Sequence, residues 1–95
     1  MVGDPLSGRI ASELPGWKVD GKELVGRYRF PDFGAALASA VRVGALAGHA
    51  DHHPELRVGW GSLEVRLTTH SAKALTAKDV DLAVAVQAAL GKPAA

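Results

Sequence analysis

The strongest constraint on this fold is a change of period after Pro54. Leu56, Val58 and Trp60 alternate with Glu55, Arg57 and Gly59. A turn near Gly61-Ser62 then returns the chain through Leu63, Val65 and Leu67, alternating with Glu64, Arg66 and Thr68. Strict alternation gives each strand one apolar and one polar face, so the hairpin must press one side against a core and leave the other wet. The stretch "WKVDGKELVGRYRF" makes a second demand of the same kind around Asp20-Gly21. Its returning strand sets Leu24, Gly26, Tyr28 and Phe30 on one face, with Glu23, Val25, Arg27 and Arg29 on the other.

Helical periods separate these hairpins. Leu6, Ile10 and Leu14 recur every four residues before Pro15-Gly16 ends the run. Asp32 can cap a helix whose expected buried stripe is Phe33, Leu37, Ala40, Val41 and Gly44, running out around Gly48. Ala40, Gly44 and Gly48 would let another backbone approach this helix closely. Thr76 and Asp79 have capping-box spacing ahead of a last helix with Val80, Ala83, Val84 and Leu90 inward, stopped by Gly91 and Pro93. The order α-β-β-α-β-β-α predicts an α+β fold: a four-stranded antiparallel sheet with three helices packed on one face. The 95 residues are expected to form one domain, and so light a core, with two sheet edges to cover, favours self-association.

Composition narrows the functional classes. With 11 Lys and Arg against 10 Asp and Glu and no basic block, a nucleic-acid footprint is not expected. There is no cysteine, hence neither disulfide nor thiolate metal site. No secretory pattern opens the chain, and Arg42 interrupts its longest alanine-rich run, so the expectation is a cytoplasmic protein without a membrane span.

Three of the four histidines crowd into "HADHHP", residues 49–54. His49 reads as a surface residue at a fraying helix end. His52 and His53 precede a proline, which holds them extended and points their rings apart. Asp51 beside them can accept an imidazole N–H or steer substrate donors. Two chemistries compete. Metal binding could draw on His49, Asp51, His52 and His53, but the spacing matches no common zinc pattern and adjacent histidines converge poorly on one ion. General acid–base catalysis instead needs a facing group, and His70, just past the second hairpin, is the candidate. Ser71 follows His70, but no Gly-x-Ser-x-Gly elbow supports a serine hydrolase. Asp79 is explained by helix capping alone.

These residues also carry a resemblance. His52-His53-Pro54 is followed after five residues by Trp60, nine residues more precede His70, and eight more precede Asp79. That pattern resembles the signature of the pterin-4a-carbinolamine dehydratases, and "LPGW" and "RYRFPDFGAAL" resemble the family's first hairpin and central helix. The chain departs at Gly48, where the family usually carries a charged residue, and has fewer aromatics in its third strand. The resemblance implies a hydro-lyase converting 4a-hydroxytetrahydropterin to quinonoid dihydropterin and water, recycling a tetrahydrobiopterin-type cofactor, with no metal or organic cofactor of its own. It implies His52 and His70 as the acid–base pair and His53 as a binding and orienting group. Asp51, Thr68, Thr69 and Ser71 would bind the pterin. Trp17 would wall the pocket or join the core, and Asp79 would orient His70 or only cap its helix. A homodimer joined through sheet edges, paired into a tetramer through helices, is implied too. The rival implied function is a dimerisation scaffold that holds a protein partner through its helices.

Overall fold

A computed structural model describes residues 5–94. Its elements are α1 (Pro5–Glu13), β1 (Lys18–Asp20), β2 (Glu23–Arg29), α2 (Phe33–Ala50), β3 (Glu55–Gly59), β4 (Ser62–Leu67) and α3 (Ala77–Leu90). The sheet is wholly antiparallel in the order β1-β2-β4-β3. Register follows the alternation: Leu24 faces Leu67, Gly26 faces Val65 and Tyr28 faces Leu63. Those residues form the floor of the core. Helices α2 and α3 lie over them, and α1 packs on α3. The α+β architecture with helices layered over one sheet face is therefore the observed one.

The opposite sheet face is a lattice of charge. Arg66 reaches Glu23 at 2.8 Å, Glu64 at 3.0 Å and Asp20 at 3.3 Å, and these carboxylates hold its guanidinium firmly protonated. Val25 is buried on this face.

Each hairpin turns slightly away from its expected position. The first turns on Gly21-Lys22, with Gly21 at φ +62° as a two-residue turn of this hand requires. The second turns on Trp60-Gly61, since Gly59 already pairs with Ser62. Trp60 is thus a corner residue, 73% exposed, and not the last inward residue of β3.

Two expectations for α2 are corrected. The buried face is Ala36, Ser39, Ala40, Val43 and Ala47, whereas Phe33, Leu37 and Val41 are exposed. This helix is apolar nearly all round, so periodicity does not choose the inward face. Small side chains do, because they let the helix lie close to sheet and neighbour, leaving the bulkier residues outside. By length and hydropathy alone α2 could cross a bilayer, but one face of it is committed to this core.

The helix also runs past Gly48 to Ala50. It ends on Asp51, which adopts the left-handed conformation at φ 52°, a region aspartate tolerates better than most residues. The Asp51 N–H bonds to the Gly48 carbonyl at 3.2 Å and the His52 N–H to the Ala47 carbonyl at 3.1 Å. This is a Schellman ending, and it fixes the exit of His52 against the core-facing side of α2.

Candidate active site

Three pieces of chain meet beside the C-terminus of α2. The first is Asp51-His52-His53, launched by the Schellman ending. The second follows β4. Thr69 and Ala74 pair across a pinched loop, closed by Lys73 N–H to the His70 carbonyl and by Lys73 at φ 53°. The third is the first turn of α3. Between them lies an open cleft of about 260 Å³, lined by Asp51, His52, His53, Thr68, Thr69, His70, Ser71 and Lys78. A second hollow of about 290 Å³, between β2, β4 and the C-terminal segment, carries arginines and a glutamate but no histidine. The groove between α2 and α3 holds His49 and shares His52, but the first cleft brings three histidines together, His52, His53 and His70.

The cleft is organised around a buried carboxylate. Asp79 has no exposed surface. Its Oδ1 lies 2.5 Å from His52 Nε2, while its Oδ2 accepts from Thr69 Oγ1 at 2.8 Å and from the Thr76 N–H at 2.9 Å. A buried ion stays buried only when its lone pairs are met this way. Asp79 is also the third residue of α3 and completes a capping box with Thr76, so the helix N-terminus favours its negative charge.

This geometry sets the tautomer of His52. A carboxylate that accepts from every neighbour requires the imidazole proton on Nε2. Nδ1 is then the nitrogen with a free lone pair, and it has no protein partner among the described residues. The His52 side chain is 12% exposed, with one nitrogen committed to the protein and the ring lining the cleft. His53 and His70 are exposed and border the same space.

Of the two roles the resemblance implied for Asp79, orienting His70 or capping its helix, the structure shows the cap, and the histidine that Asp79 meets is His52. One side chain does both jobs. Thr68, Ser71 and Asp51 border the cleft, but the Thr69 hydroxyl is turned inward to Asp79. Trp17 is core and does not line the cleft. Its ring covers Gly26, where a Cβ would stand 2.7 Å away, and it meets Tyr28 edge-on at 6.2 Å. The tight chain-to-ring approach explains both its burial and the glycine.

His49 sits on the last turn of α2 and lines a neighbouring groove between α2 and α3, outside the cleft. Among the described residues no three His, Asp or Glu side chains gather as a metal-ligating set. Lys78 also borders the cleft, and sequence reasoning misses it because a lysine in a first helical turn gives no signal of its own.

Comparison with known proteins identifies a family. Residues 5–89 match the sequence profile of the family described as pterin 4 alpha carbinolamine dehydratase. A relative from Natronomonas pharaonis named for that dehydratase is 45% identical over 75 residues, covering 78% of this chain and 82% of the relative. One from Rhodopseudomonas palustris (strain BisB18), with the same name, is 46% identical over 78 residues, covering 80% and 77%. A crystal structure described as a transcriptional coactivator/pterin dehydratase from Brucella melitensis superposes with a TM-score of 0.84 at 28% identity. That match covers 96% of this chain and 98% of the other.

Proposed function

The chain belongs to the pterin-4a-carbinolamine dehydratase family, enzymes that remove water from 4a-hydroxytetrahydropterin, and we propose that here His52 and His70 move the protons. The reaction breaks the C4a–O bond, releases water, and forms a C4a=N5 double bond as N5 loses its hydrogen. Hydroxide leaves poorly, so one group must protonate the C4a oxygen while another takes the N5 proton. His52 suits the second role, since its Nδ1 lone pair is free and Asp79 stabilises the imidazolium that results. His70, exposed at the rim, suits the first and can recover a proton from solvent. His53 and Asp51 would hold the ring from the same side, with Thr68 and Ser71 meeting its polar edge.

The single observation that carries this reading is the buried Asp79–His52 pair opening on a histidine-lined cleft. Titration with an oxidised, non-dehydratable pterin tests it, with imidazole NMR signals as the readout. The His52 and His70 signals should both move; unchanged signals at a saturating pterin concentration would sink the reading.

The same reading includes cytoplasmic recycling of a reduced pterin cofactor, consistent with the cysteine-free composition. It also includes a homo-oligomer. Strands β1 and β3 are free edges, and the exposed Phe33-Leu37-Val41 stripe offers a helix face for a second copy.

A further inference from the structure

We propose that Thr69 and Thr76 are positioning residues for the dehydration, acting on His52 through Asp79. The inference rests on the acid–base reading of His52 and extends it to groups that do not touch substrate.

The hydrogen bonds form a chain with only one consistent direction. Thr69 Oγ1 has a single proton, and it goes to Asp79 Oδ2, which can only accept. The contact of 2.7 Å between the two threonine hydroxyls must then be a donation from Thr76 Oγ1 to Thr69 Oγ1. Thr76 Oγ1 in turn accepts from the Lys78 N–H at 3.3 Å. Polarity therefore runs from the α3 N-terminus through both hydroxyls into the carboxylate.

The direction matters for the reaction. With its Oδ2 engaged by Thr69 and by the Thr76 N–H, Asp79 presents Oδ1 to the imidazole in one orientation. That holds the proton on His52 Nε2 and keeps Nδ1 as the acceptor. Without the Thr69 hydroxyl, Oδ2 keeps only the Thr76 N–H, so the carboxylate can turn in its pocket and the histidine loses its fixed orientation. Thr69 is 6% exposed and its hydroxyl is spent on these bonds, so that hydroxyl is not free for the pterin contact the resemblance implied. Groups that hold a metal-ligating histidine at one remove commonly contribute about 10- to 100-fold, and a similar span is expected for a histidine held by a carboxylate.

The test compares Thr69→Val, which keeps the shape and removes the hydroxyl, with Thr69→Ser, which keeps the hydroxyl. Turnover, KM, thermal midpoint and the ring ¹⁵N spectrum of His52 are read for each. Thr69→Val should lower kcat by about 10- to 100-fold with KM nearly unchanged, and the His52 ring ¹⁵N signals should shift and broaden as the ring loses its fixed orientation. Thr69→Ser should restore both. Should Thr69→Val not fold, Thr76→Ala against Thr76→Ser asks the same question from the next hydroxyl, with the same expected split. Wild-type kcat and an unaltered ring spectrum in the folded hydroxyl-free variant would overturn the proposal, as would equal losses in the serine variant, which would mean packing alone. His52→Ala measured alongside keeps the two claims apart. If it abolishes turnover while folded Thr69→Val keeps the wild-type kcat, positioning is wrong and the acid–base reading stands; if it turns over normally, that reading is wrong.

Discussion

Asparagine at position 79 is nearly the same size as aspartate, so Asp79→Asn isolates the charge and acceptor pattern from packing. The native carboxylate accepts on both oxygens, from His52 on one and from Thr69 and the Thr76 N–H on the other. An amide has only one oxygen. If that oxygen keeps Thr69 and Thr76, the NH₂ faces His52 and donates, which forces the imidazole proton from Nε2 to Nδ1. The nitrogen proposed to take the N5 proton then already carries one. If the amide turns over, two buried donors face an NH₂ group, at about 1–3 kcal/mol for each bond left unmade. The first arrangement wins, and it keeps the helix cap while disabling the base. The same swap in another histidine–carboxylate pair lowers kcat by roughly 10⁴. A general base contributes about 10²–10⁴-fold, so a loss within that span is expected, or ~3–5 kcal/mol of barrier. Stability should fall much less, by about 1–2 kcal/mol. Rapid-mixing dehydration kinetics at saturating substrate, with thermal denaturation alongside, measure both. A folded Asp79→Asn enzyme with wild-type kcat would show that the carboxylate does not set the tautomer, and so would a loss confined to KM.

Three further outcomes can be checked. Burial pushes the Tyr28 hydroxyl up to about 12, and it donates to the Gly91 carbonyl at 3.0 Å. The native state therefore holds its proton more tightly than the unfolded chain, near 10. That stability is complete below pH 10 and is lost as pH rises toward 12; as the chain has one tyrosine, tyrosinate absorbance reads it directly. Gly26→Ala would drive a methyl into the Trp17 ring at 2.7 Å, so a stability loss of about 1–3 kcal/mol is expected by chemical denaturation, with kcat retained in the folded fraction. Val41→Asp, on the exposed face of α2, should shift light-scattering mass toward a smaller species while leaving circular dichroism unchanged; an unaltered mass would remove this face from any interface.

Much of the fold was legible because period-two alternation leaves little freedom. Leu24, Leu63, Val65 and Leu67 all fall inward as alternation requires, and the Thr76/Asp79 box caps α3. The inward face of α2 was not legible, since Ala36-Ala40-Val43-Ala47 and Phe33-Leu37-Val41 are both apolar at helical spacing. Nor was the ending of that helix, where an aspartate takes a backbone conformation more often given to glycine. The histidines of the cleft stood out by their crowding and by their spacing to Asp79. The partner of Asp79 did not, because its contact with His52 spans 27 positions and depends on how the first turn of α3 docks against the end of α2. Likewise, only the folded chain turns the Thr69 hydroxyl inward to a carboxylate.

The proposed mechanism turns on two imidazoles, carried on separate loops, that would move the protons. Single-turnover dehydration by His52→Ala and by His70→Ala, each verified as folded, probes this without relying on any other residue. Each rate should fall by about 10²–10⁴-fold. Wild-type dehydration rates in both variants would mean that neither ring takes part.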